Sequence, residues 1–377
     1  MNGICLRCAL RLQRTAQPPT PSPSTTRTLS STTARRKHHG IPTFFETPQP
    51  DLNAVLTALR TTHFIPAALH APDRRLILGK KNKQQLADNP TTVSIAGEEI
   101  PLQWLDRTRD IPNRTTLFHR AVSLMAAEDH WRNLPVLLTG LNNAGLTLPP
   151  HTLSKAVRKA LVAGRIGLVL QCLEQTSHTG VSLANEEVLQ SLLAALHTSA
   201  QTGEYSESAT RAACKSATHL SHLLENPAHN SKGASLRDQT DPRFRPEVLA
   251  VPLELVSIYA YKHTGGQDPT GAVKTLTTRL LDALERHPSL TQPSAFAPQS
   301  EGPQLDMIRG LPIYQGLWLA EKILGSEMPK PELARRVCRD YGAGLRILAE
   351  ALRAGGQAKE GSYGGVALWW WEGRLAE

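Results

Sequence analysis

Gly145-Leu146-Thr147-Leu148 and Gly180-Val181-Ser182-Leu183 stand 35 residues apart, and this spacing decides the fold. Each tetrapeptide follows two runs with the apolar period of an α-helix and precedes the start of another. A short amphipathic helix pair cannot bury its apolar face alone. Repeated pairs bury it by stacking, which is the architecture of a solenoid. Outward from these turns, the periodicity predicts helices over 113–127, 131–143, 150–163, 166–178, 185–199, 205–225, 246–262, 269–287, 304–325 and 331–354. Before residue 110 the signals are mixed. Asp51–Thr61 reads as a helix. Thr92–Ile95 and Ile100–Trp104 read as the arms of a small hairpin around Ala96-Gly97-Glu98-Glu99. The expected fold class is mainly α: an α-solenoid of helical repeats with a small mixed N-terminal segment containing a β-hairpin. We divide the chain into 1–37, a mixed segment 46–110, repeats 113–225, a disordered insertion 226–243 rich in Pro, Ser, Asn and Gly, and a C-terminal helical region 244–377.

The first of these pieces carries a targeting signal. Residues 1–45 hold seven basic residues (Arg7, Arg11, Arg14, Arg27, Arg35, Arg36, Lys37) and no acid, and Glu46 is the first acidic residue. Ser and Thr crowd residues 19–33, and Gly3–Arg14 alternates apolar residues with arginines. That composition is that of a mitochondrial transit peptide, and it lacks the unbroken apolar run of a secretory signal. Much of the formal charge of +9 therefore sits in a removable segment: cleavage after Leu29 leaves +5. An argument for nucleic acid must then be local. No window has the length of apolar sequence needed to span a membrane. Five cysteines, with Cys5 and Cys8 inside the basic segment and Cys172, Cys214 and Cys338 far apart, form neither a disulfide framework nor a zinc ribbon.

Within the helical region, His151–Asn185 resembles a pentatricopeptide repeat. Ala163-Gly164-Arg165 falls at the family's inter-helix turn, Gly180-Val181 at the end of its second helix, and Ala156, Val157 and Leu173 at its apolar positions. Thr116–Pro150 aligns in the same register, with Phe118 at the aromatic position and Gly145 at the turn. Leu153 replaces the usual tyrosine, Leu183-Ala184 replaces Pro-Asp, and the register fails after Ala200. The resemblance covers under a third of the chain. It implies stacked helix pairs whose first helices line an RNA-facing groove.

Lys155, Arg158 and Lys159 lie at i, i+3 and i+4, so they share one helix face, and Arg165 follows at the turn. Between Asp129 and Glu174 there is no acidic residue. By the resemblance, these four cations contact phosphates, which gives affinity without sequence choice, and Ser154 and Asn185 fall near the base-reading positions. A solvated helix face, or a surface for an acidic protein, fits the same residues. Trp369, Trp370 and Trp371 span about 200° of a helix. They suit a cap on the solenoid's apolar end, which is the reading we favour, or a docking patch for a partner.

The set Cys214, His219, His222 and His229 lacks zinc spacing, and solvent-facing histidines are the expectation. Gly266–Gly271 before Lys274-Thr275 misplaces the lysine of a phosphate-binding loop and follows no strand. It reads instead as a helix end, with Asp268 capping the next helix. No catalytic motif, metal site or cofactor site is expected. The combined expectation is a non-enzymatic mitochondrial protein, in the matrix or peripheral to the inner membrane. It would bind mitochondrial RNA or the mitoribosome as a translation or RNA-stability factor or a mitoribosome-associated component. The alternative is a scaffold or assembly factor holding respiratory-complex subunits.

Overall fold

Proline and asparagine set most of the helix starts. The computed structural model describes residues 40–229, 241–287, 302–356, 359 and 362–375, all within the unit that begins at residue 39. The expected transit peptide 1–37 lies outside the described residues. Helix α1 (Pro50–Leu59) runs through a π-helical turn at Arg60–Phe64 into α2 (Ile65–Ala68). The wide turn precedes Pro66, which has no N–H for a regular helical bond. Helices α3 (Ala71–Leu78) and α4 (Lys83–Asp88) follow, then antiparallel strands β1 (Thr92–Ile95) and β2 (Glu98–Pro101). The hairpin's turn is two residues, Ala96-Gly97, rather than the four expected. Both have positive φ, 54° and 89°, as a primed turn requires, so Glu98 and Glu99 join the strand and pair with Ile95 and Ser94. Ile77, Leu86, Ile95 and Ile100 form a small separate core. Helix α1 instead buries Leu52, Leu56 and Leu59 in the main core.

Three helix pairs come next: α5 (Arg114–Leu124) with α6 (Asn133–Asn143), α7 (Pro150–Val162) with α8 (Ile166–Glu174) and its one-turn extension α9 (Thr176–Thr179), and α10 (Glu186–Thr202) with α11 (Glu207–Leu224). Asn113 caps α5 by accepting from the Thr115 N–H at 2.9 Å, and Asn185 caps α10 through the Glu187 N–H at 3.1 Å. Pro150 opens α7 at its first turn. The decisive glycines end helices. Gly145 has φ +68°, its N–H reaches the Asn142 carbonyl, and the Leu146 N–H reaches the Leu141 carbonyl at 2.8 Å. Ala160 to Arg165, around Gly164, repeats the same double bond. This left-handed closure favours glycine because it carries no Cβ. First helices stack on first helices and second on second, with α5 on α7 and α7 on α10, and α8 on α11. Asn142 donates to the Ser177 carbonyl at 2.8 Å, joining neighbouring units across one 35-residue period.

The C-terminal region comprises α12 (Pro246–His263), α13 (Ala272–Arg286), α14 (Pro303–Leu324), α15 (Pro331–Ala354) and α16 (Tyr363–Glu372). Helix α13 starts at Ala272 rather than 269, because Gly271 turns the chain at φ +68°; Asp268 accepts from the Lys274 N–H at 3.0 Å. Helix α14 is buried on nearly every side, the pattern of a central helix, and it crosses α12 closely at Gly316, where a Cβ would lie 3.2 Å from the Glu254 nitrogen. Of the expected insertion 226–243, residues 230–240 lie outside the described residues. Its edges are ordered parts of the fold, because His229 and Asp241 are buried and Arg243 grips the Asp241 carboxylate at 2.6 Å. No helix among the described residues is long and apolar enough to cross a membrane.

One buried polar joint ties these parts together. His197 of α10 and Glu254 of α12 are both fully buried, with Nδ1 and Oε2 2.7 Å apart. The His197 Nε2 lies 3.0 Å from the Gln201 Oε1, and the Trp370 ring of α16 stacks on the imidazole at 4.0 Å between centroids. Both ring nitrogens thus face a side-chain oxygen, and the imidazole is held from two sides. Removing one partner strands the other away from water. Glu254→Ala is expected to lower stability by about 3–5 kcal/mol, and a His197→Leu/Glu254→Leu double variant by less, because the uncompensated group is the main cost. Urea unfolding midpoints at constant m-value measure both. A double variant as damaging as the two singles combined would contradict the coupling.

Candidate nucleic-acid interface

Helix α7 buries Thr152, Ser154, Ala156, Val157, Ala160 and Leu161 and leaves Lys155, Arg158 and Lys159 exposed. The four cations picked from the sequence do not share one situation. Lys155 and Lys159 neighbour His119 of α5 and His151 of α7. Partial burial, then the charges of Lys155, His151 and Lys159, hold the His119 pKa below its ordinary value. Arg158 points toward α16 and donates from Nη1 to the Tyr363 hydroxyl at 3.1 Å. Arg165 reaches back to the preceding pair and holds Glu128 at 2.7 Å. Glu128 is three-quarters exposed, so this ion pair is worth about 0–1 kcal/mol.

Ser154 and Asn185 are brought together, but on each other. The Ser154 hydroxyl, buried, donates to the Pro150 carbonyl at 3.0 Å and accepts from the Asn185 Nδ2 at 3.0 Å. Asn185 Oδ1 caps α10. A base contact here requires opening that bond. Sequence reasoning missed His119 and His151. The signal was present: His119 lies 35 residues before Ser154 and 36 before Lys155, so stacking at the repeat period sets it beside α7.

The tryptophans also divide. Trp370 and Trp371 are buried, and Trp369 is 40% exposed. Trp370 packs back onto α10, donating from Nε1 to the Thr198 Oγ1 at 3.2 Å. Trp371 lies under the Arg374 guanidinium at 3.6 Å, a cation–π contact, and beside Tyr314. The Trp369 carbonyl accepts from the Gln201 Nε2 at 2.7 Å.

The Cys/His set disperses. Among the described residues, no group of three or more His, Cys, Asp or Glu side chains is placed to hold a metal ion. His219 pairs with Glu174 at 3.0 Å. Burial pushes the thiols of Cys172, Cys214 and Cys338 up to about 12. His229 departs from the expectation of a solvent-facing ring: it is fully buried, because its Nδ1 accepts from the Leu183 N–H at 3.3 Å and its Nε2 meets the Thr176 hydroxyl at 3.4 Å. It fastens the end of α11 to the turn at Gly180–Leu183.

Comparison with known proteins adds the remaining finding. The sequence model of the family described as mitochondrial ribosomal protein mS27 matches residues 27–373. A Neurospora crassa protein described as small ribosomal subunit protein mS27 is 30% identical over 235 residues, which cover 61% of this chain and 59% of that protein. The match thus spans somewhat under two thirds of the relative's length.

The geometry at His229 fixes a pH response. Accepting at Nδ1 requires the neutral ring, and burial holds its pKa below the ordinary value of ~6.5. Protons therefore bind the unfolded chain more readily than the folded one. The ring's contribution is fully present above about pH 6.5 and is lost as pH falls below it. Melting temperature should drop more steeply between about pH 7 and 5.5 in the parent than in His229→Asn. Parallel curves would exclude this role.

Proposed function

This chain belongs to the mitochondrial ribosomal protein mS27 family, and from that premise we propose that it is a non-catalytic component of the small mitoribosomal subunit that holds RNA against the first helices of its helix pairs. The observation that carries the reading is the family match over residues 27–373. A mitochondrial location is common to that family and to the basic, acid-free start of the chain. The respiratory-complex alternative has no comparable observation in its favour.

We read Thr116–Pro150 and His151–Asn185 as divergent pentatricopeptide-like units, the region 113–225 as the repeat domain, and 244–377 as a helical domain completing it. On this reading Lys155 and Lys159 are the phosphate contacts, with His119 and His151 beside them on the same surface. Arg165 joins them by exchanging Glu128 for a phosphate. Ser154 and Asn185 act chiefly as structural partners, and any base contact by them is secondary. Both lysines are solvated at the surface, so their attraction to phosphate is a screened, salt-dependent term. Such contacts position a subunit without reading sequence, which suits a protein assembled on one fixed RNA.

Epitope-tagged protein should co-sediment with the small mitoribosomal subunit on density gradients. Lys155→Glu/Lys159→Glu should release it at lower salt, reducing the salt dependence of RNA binding by about one unit of log–log slope per lysine. Tagged wild-type protein staying at the top of the gradient beside intact small subunits would overturn the assignment. Co-sedimentation with an unchanged salt profile in the double variant would move the RNA contact elsewhere.

A further inference from the structure

Beside the basic face, a groove of about 900 Å³ runs between α7 and α10 and is walled on its far side by α16 and Ile308 of α14. Its floor on α10 runs from Ser191 to Thr202, about 16 Å or three helical turns. Three of the seven large exposed hydrophobic side chains among the described residues line it: Val162 at 85%, Tyr363 at 52% and Trp369 at 40% exposure. A concentration of this kind on one concave surface is unfavourable in water and marks an interaction site. The floor is built of small side chains, Ala194 and Ala195 among four hydroxyl residues, and two of those hydroxyls are engaged. Ser199 donates to the Leu196 carbonyl at 2.8 Å, and Thr198 accepts from Trp370. The lining carries two formal charges, Arg158 and Lys159, both positive, and no acid.

We propose that this groove receives an amphipathic helix of a neighbouring protein, about three turns long, with an aliphatic face inward and acidic residues set against Arg158. Charge complementarity selects the acidic partner. The lining offers only two rings, Tyr363 and Trp369, both on the α16 wall, and RNA held along a groove needs a succession of stacking faces. Helix-in-groove recognition supplies the affinity through the apolar anchors, and the rim charges fix orientation. The inference rests on the mitoribosomal reading only in where the partner is found.

The test places a photoreactive benzoylphenylalanine at position 162 in the full chain, expressed in mitochondria. Val162 is almost wholly exposed, so the substitution leaves the core intact. The expected result is a crosslink to one protein, mapped by mass spectrometry to an aliphatic helical segment bearing Asp or Glu, with Arg158→Glu lowering the yield about fivefold. Crosslinks to RNA alone, to a second copy of this chain, or to a segment without acidic residues overturn the proposal. So does no crosslink while the protein still co-sediments with the small subunit. An acidic amphipathic segment captured in a particle other than the mitoribosome would uphold the groove and overturn the mitoribosomal reading instead.

Discussion

The fold depends on one buried imidazole. His197 meets Glu254 through one nitrogen and Gln201 through the other, and its ring face carries Trp370. Those contacts join α10, the last first-position helix of the stacked pairs, to α12 and to α16 near the end of the chain. Two apolar cores, one under the helix pairs and one around α14, come into contact along this seam, and Trp318 and Ile323 pack against both. A wholly apolar seam would stabilise by area alone. A buried ionisable pair is a weak source of net stability, but it penalises every arrangement in which its members are not matched. That selectivity suits a place where helices 172 residues apart in sequence, such as those of Thr198 and Trp370, must find each other.

The same joint creates the surface beside it. Seating Trp370 on His197 brings α16 against α10, and the following turns hold it there: Gln201 donates to the Trp369 carbonyl, and a Cβ at Gly373 would overlap the Gln201 side chain. With Trp370 inward, Trp369 is turned out by about 100° and becomes a groove wall. Tyr363, two turns earlier, reaches Arg158. The groove is thus a consequence of how the C-terminus closes the stack, and its exposed aromatics are those that the closure leaves over.

Much of the architecture was legible in the sequence because its signals are local. Gly145, Gly164 and Gly180 are forced by left-handed helix ends, Pro150, Pro246 and Pro331 by helix starts, and the apolar period does the rest. The exposed cations of α7 were legible for the same reason. The failures are non-local or depend on fine geometry. The hairpin turn was misread because positive φ at Ala96 is chosen by strand twist rather than by residue type. His229 looked like a solvated ring because its partner, the Leu183 N–H, lies 46 residues away. Ser154 and Asn185 were chosen by family position, yet whether a small polar residue is free depends on what its neighbours leave unsatisfied. The three tryptophans are identical in type, and only the direction of packing from α10 separates the exposed one from the buried two.

The charges of α7 place one short helix between the two proposed surfaces. Arg158 lies about 60° around the axis from Lys155, and Lys159 about 40° the other way and one turn further on. The helix buries its apolar stripe against α8 and α10, so the remaining arc spans both the histidine-rich side toward α5 and the groove toward α16. An acid anywhere on that arc would oppose partners on either side, and the stretch from His130 to Leu173 holds none. The acid-free tract therefore needs no large excess of positive charge in the protein to be effective. It keeps one sign along a helix with an anionic backbone proposed on one flank and an acidic helix on the other.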